Sequence, residues 1–85
     1  STDSLVTGEL KVSIESAINE LPEKCREIFV TNRYENLKYQ EIADKLQISV
    51  KTVETQMSKA LQHMRLRLAA YLTVLVALVI GFLNR

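Results

Sequence analysis

Eighty-five residues with one cysteine and one histidine leave room for a single small domain, and they exclude an internal disulfide and a three- or four-ligand zinc site. Apolar residues make up 47% and charged residues 25%, with two Gly and one Pro, so the chain reads as folded and helical and must draw its stability from packing alone. The net charge of +1 hides a polarity: residues 1–50 carry six Lys/Arg against nine Asp/Glu, and residues 51–85 carry five against one, a weaker pointer to nucleic acid than a strongly basic domain gives.

Ser1-Thr2-Asp3-Ser4 is polar, with no basic segment leading into an apolar run, so it does not read as a secretion signal. Residues 1–8 are expected to be poorly ordered. From Leu10 the apolar positions Leu10, Ile14, Ala17, Ile18 and Leu21 share one helical face. Leu21-Pro22 stops that helix and starts the next, because proline suits a first turn and cannot continue the preceding one. The second helix is expected over residues 22–34, with Glu23 at its positive end and Cys25, Ile28 and Phe29 inward. Cys25 reads as a small core hydrophobe rather than a reactive thiol.

After Glu35-Asn36, residues 37–53 read as a short helix, a three-residue turn and a second helix. Glu41 stands at the third position of the short helix, and Leu37 and Ile42 are spaced as a hydrophobic staple. Ile42, Ala43 and Leu46 point inward, and the small Ala43 lets two helices cross closely. Ile48 plugs the corner, and Ser49 is placed to cap the following helix through amides near Lys51 and Thr52. At 100° per residue that helix puts Val50, Val53, Met57, Ala60, Leu61, Met64 and Leu68 on one face and Lys51, Thr52, Thr55, Ser58, Lys59 and Gln62 on the other.

Helix, turn and helix with a small residue at the crossing, a capped second helix and a cationic, hydroxyl-rich outer face are what a DNA reader needs. The second helix enters the major groove, about 12 Å wide, while the first crosses the backbone. Thr55, Ser58 and Glu54 are the base-edge candidates, Glu54 as acceptor from a cytosine amine. Lys38, Lys51, Thr52 and Lys59 are the phosphate candidates. Glu54 pairing with Lys51 on a solvated face is an equally good reading of that residue. His63 reads as a surface histidine, and Arg65 and Arg67 fit phosphate, an acidic partner or plain solubility equally well.

Residues 69–83 carry no charge and only Tyr71 and Thr73 as polar groups. Fifteen helical residues span about 22 Å, short of a hydrocarbon core of about 30 Å, which favours a buried or partner-binding helix over a membrane anchor. Leu66 falls on the otherwise polar side, where the helix becomes apolar all round. Leu66, Leu72, Leu75 and Val79 are the partner-binding candidates. No catalytic set, Gly-rich phosphate loop, metal site or cofactor site is read from the chain, so an enzyme is not expected.

Leu21-Pro-Glu-Lys-Cys-Arg-Glu-Ile-Phe29, Tyr39-Gln-Glu-Ile-Ala43, Ile48-Ser-Val-Lys-Thr-Val53, Lys59-Ala60-Leu61 and Met64-Arg65 together resemble region 4 of the extracytoplasmic-function sigma factors, within the sigma-70 family of bacterial RNA polymerase. The likeness covers about residues 10–68. Its Glu-Ile-Ala and Ser-x-x-Thr-Val pieces also occur in response-regulator helix-turn-helix domains, and the upstream Leu-Pro helix favours the sigma factor. The resemblance implies an all-α bundle with a helix-turn-helix (winged-helix-like or sigma region 4 type) over residues 9–68, and an extra apolar helix over 69–85 packing on the domain, a second chain or a partner. It also implies double-stranded promoter DNA read at the −35 element, the β flap of RNA polymerase core as a partner, an anti-sigma factor in many members, and a cytoplasmic location. Gln47 stands where such motifs usually place Gly, and Lys38 where they place a capping Ser or Thr. Nothing in the chain resembles region 2, so a fragment of a protein about twice as long is the expectation. The alternative functions are a response-regulator-type DNA-binding domain, or an interaction module that works through the apolar tail, by homodimerisation or in a membrane.

Overall fold

Leu21-Pro22 and the two left-handed residues Asn36 and Gln47 divide the chain into four helices. The computed structural model describes residues 2–84, with side chains from residue 7 onward. The helices are α1 (Thr2–Asn19), α2 (Glu23–Tyr34), α3 (Tyr39–Leu46) and α4 (Val50–Leu83). No strand occurs among the described residues, so the helix-turn-helix carries no wing.

The backbone is helical from Thr2, within the stretch over residues 1–8 expected to be poorly ordered. Extending an existing helix fixes one residue per added hydrogen bond and avoids the cost of nucleation. No proline interrupts this stretch. Ala17, Ile18 and Leu21 of this first segment are buried, with Ile14 packed beside them. Pro22 serves as the cap of α2 at φ −55°, one residue outside the expected helix. Cys25, Ile28 and Phe29 face inward as the 3.6-residue period requires. Thr31 is also buried, which the apolar pattern did not reveal. Its carbonyl accepts from the backbone N–H of Glu35 at 3.2 Å and of Leu37 at 3.5 Å, closing the loop after α2. The Asn32 side chain donates to the Leu37 carbonyl at 2.9 Å from the same corner.

α4 is the element on which the others pack: α1, α2 and α3 all lie against it, and α1 reaches along it as far as Tyr71 and Val74. Ile28, Ile42, Val53 and Met57 are the largest fully buried side chains, one each from α2 and α3 and two from α4. Ala43 and Ala60 are buried at helix contacts, where their small side chains permit close approach.

The apolar tail is a direct continuation of α4, one helix of 34 residues. At 1.5 Å per residue it is about 51 Å long and accounts for most of the molecule's 56 Å long axis. The fold itself does not cover the tail. Large side chains from Leu72 to Leu83 are 50% to 72% exposed, and only Tyr71 and Leu75 are half-buried. An α1 of 18 residues on a helix of 34 leaves the distal turns bare.

Candidate nucleic-acid interface

Two local devices aim the start of α4 outward. The first is the turn. Gln47 adopts φ 56° and ψ 48°, the left-handed conformation, and its N–H reaches the carbonyls of Ala43 and Asp44. The N–H of Ile48 then bonds the Ala43 carbonyl at 3.0 Å, and Ile48 packs against the core. The second is the cap. Ser49 Oγ accepts from the Thr52 backbone N–H at 3.0 Å, as the sequence reading expected, and the two hydroxyls lie 2.9 Å apart. The remaining free N–H groups of that first turn, with the helix dipole behind them, form a weakly positive pole.

α3 begins at Lys38, which caps nothing with its own side chain. The Glu41 carboxylate accepts from the Lys38 backbone N–H at 2.8 Å instead. This is the half of a capping box that does not depend on the cap residue's identity. The Lys38 side chain stays exposed.

All seven residues singled out for DNA contact are exposed: Lys38, Lys51, Thr52, Glu54, Thr55, Ser58 and Lys59. Lys38, Lys51 and Lys59 enter no ion pair among the described residues, and neither does Glu54. The reading in which Glu54 is neutralised by Lys51 is therefore not realised. Lys24 pairs with Glu27 at 3.7 Å, Lys45 with Glu35 at 3.0 Å and Arg67 with Glu20 at 3.0 Å. Lys11, Arg26, Arg33 and Arg65 also enter no ion pair among the described residues. Thr55 Oγ1 donates to the Lys51 carbonyl at 3.0 Å, which leaves its lone pairs and its methyl group facing out.

His63, read from sequence as a surface histidine, lies at a part-exposed surface and there meets the first segment of the chain. Its Nε2 lies 2.9 Å from Glu20 Oε1, the same oxygen that Arg67 approaches. The Glu20 carboxylate, just past the end of α1, thus meets two side chains of α4. The partners are 43 residues apart in the chain, so no local pattern could have announced them. A cleft of about 300 Å³ runs beside this junction, lined by Pro22, Lys24, Cys25, Gln56, Lys59 and His63 among others. Lys24 brings an additional cation near Lys59, a placement that the sequence reading missed. Burial pushes the Cys25 thiol up from its ordinary pKa, and the nearby Lys59 partly opposes this. Its Sγ donates to the Gln56 carbonyl at 3.3 Å, so Cys25 behaves as core. Of the tail candidates, Leu66, Leu72 and Val79 are exposed and Leu75 is half-buried.

A helix-turn-helix with a capped, outward-facing second helix and unpaired cations along it defines the class: a small helical DNA-binding module. Residues 11–64 match the family described as Sigma-70, region 4, and the chain belongs to that family. Region 4 is a promoter-DNA-binding, non-catalytic domain of sigma factors, which work with RNA polymerase. The match ends at residue 64, before the apolar tail begins. No curated protein matches the chain.

Proposed function

We propose that this chain reads the −35 promoter element, with the first three turns of α4 in the major groove. Thr55, Ser58 and Glu54 face base edges, and Lys38, Lys51, Thr52 and Lys59 hold phosphates. The extracytoplasmic-function subtype, docking to the polymerase β flap, sequestration by an anti-sigma factor and a cytoplasmic location belong to the same proposal. The observation that carries it is the coincidence of the capped N-terminus of α4 with the unpaired lysines.

The test is promoter selection followed by binding titrations at several salt concentrations. Thr55→Ala or Ser58→Ala is expected to change preference at one or two base pairs by about 1–3 kcal/mol. Lys51→Ala or Lys59→Ala should weaken all sequences alike and lower the salt slope by about one. Wild-type behaviour in all four variants sinks the groove assignment.

A further inference from the structure

From Leu72 onward α4 is apolar in every direction, and among the described residues of that stretch only Leu75 is half-buried. Its most apolar 18-residue stretch has a mean hydropathy of 2.3, and none of that stretch is buried. At 100° per residue, large side chains such as Leu72, Val74, Val76, Leu78, Val79 and Phe82 occupy about two thirds of the circumference. The remaining third carries Ala70, Ala77, Gly81 and Thr73. The Thr73 hydroxyl donates to the Ala69 carbonyl at 2.9 Å, so it needs no partner from outside the helix. A docked protein or a second copy covers one stripe of a helix and leaves the rest in water. A hydrocarbon solvent covers the whole circumference, and it tolerates a helix because backbone polar groups are satisfied within the segment. The circumference therefore selects the occupant.

The flanks agree. Arg65 stands before the bare segment, exposed and in no ion pair among the described residues, on the side of the folded domain, where anionic headgroups would meet it. Tyr71 follows one turn later, at the level that aromatic side chains favour at a membrane surface. An apolar groove of about 740 Å³ between α1 and α4 has Glu9 and Tyr71 on its lining, which sets the water line there. From Leu72 to Leu83 the helix is about 18 Å long. An oblique insertion into one leaflet, about half of a hydrocarbon core of about 30 Å, leaves Arg85, two residues on, within snorkelling reach of the headgroups.

We propose that the end of α4, from Leu72 onward, inserts into the acyl-chain layer of a lipid bilayer and tethers to it the half of the same helix that carries the exposed lysines. The insertion stands on the tail alone. Only the choice of leaflet, the one facing DNA, rests on the promoter reading, and it is the side on which Arg65 falls.

The chain has no tryptophan, so Phe82→Trp reports the tail by itself. The full chain, purified in mild detergent, is diluted into vesicles of uncharged phosphatidylcholine and floated on a density gradient at physiological salt. The full chain is expected to float, and the floated fraction should fall about tenfold or more in Val76→Glu/Val79→Glu. Both sites lie outside the buried core, and circular dichroism checks the variant's fold. Should that variant misfold, the tryptophan decides: its emission should move to the blue on adding vesicles and be quenched by lipid brominated on the acyl chain. Equal flotation of wild type and double variant overturns the proposal. So does flotation confined to anionic vesicles and lost at high salt, which reports attraction to the cations. Tryptophan already blue-shifted without lipid, in a species of twice the chain mass, overturns it in favour of a second copy. Flotation is read without DNA, so failure to bind a promoter sinks the earlier proposal and leaves this one standing.

Discussion

Gln47 holds a left-handed conformation that costs a residue with a Cβ about 1–2 kcal/mol, and it does so at the turn that sets the groove-facing helix. Gln47→Gly is expected to raise stability by about 1 kcal/mol, measured as a higher urea midpoint at unchanged slope. The strain was legible only through the family resemblance, in which such motifs usually place Gly at the position of Gln47. Cys25 offers a residue-scale test by pH. Its thiol is held above the ordinary value by burial, with Lys59 opposing in part, so the fold prefers the protonated form. That contribution is fully present below the unfolded thiol's pKa of about 8.5 and is lost as pH rises through the folded value. Chemical denaturation at pH 8, 9 and 10 should show wild type losing stability faster than Cys25→Ala.

The elements are held together by apolar contacts. Ile18 at the end of α1 is buried, while the neighbouring Glu20 makes its contacts with His63 and Arg67 at a largely solvated surface. Ile18→Ala is expected to cost about 2–4 kcal/mol, and Glu20→Ala no more than about 1 kcal/mol. Thermal melts of the two variants test that ranking, and an equal cost would give the charged junction the larger share. Ala43 lies buried in α3, where the helix-turn-helix closes on α4. Ala43→Leu should overpack the site, at a cost of about 1–3 kcal/mol, and should also impair DNA binding by rotating the outer face of α4. The small residue was readable from sequence as a crossing point. The Glu20 junction was not, because its members come from opposite ends of the chain.

For the whole molecule, one helix serves two environments. The buried part of α4 ends at Met64, and the bare part begins within two turns. Ending the chain after Leu68 is therefore expected to leave a soluble, folded domain with promoter binding intact. Its stability should drop by less than about 1 kcal/mol, because exposed side chains contribute little to folding. Denaturant melts and sedimentation of the truncated chain check this. An unfolded product would mean that the tail is part of the core.

The amino-acid order by itself determined the helices and their inward faces, because a 3.6-residue apolar period, a proline, a serine cap and a polar corner are all local signals that each act over a few residues. It also determined which side chains the outer face would offer, since an inward Val53 and Met57 leave Thr55 and Ser58 nowhere else to point. Only the tertiary structure decided that α1 begins at Thr2, that a buried Thr31 closes the loop after α2, and that His63 and Arg67 converge on Glu20. It alone decided that the large side chains from Leu72 to Leu83, Leu75 aside, stay exposed among the described residues. These are outcomes of which surfaces meet in space, and contact between residues 43 positions apart leaves no periodic trace along the sequence.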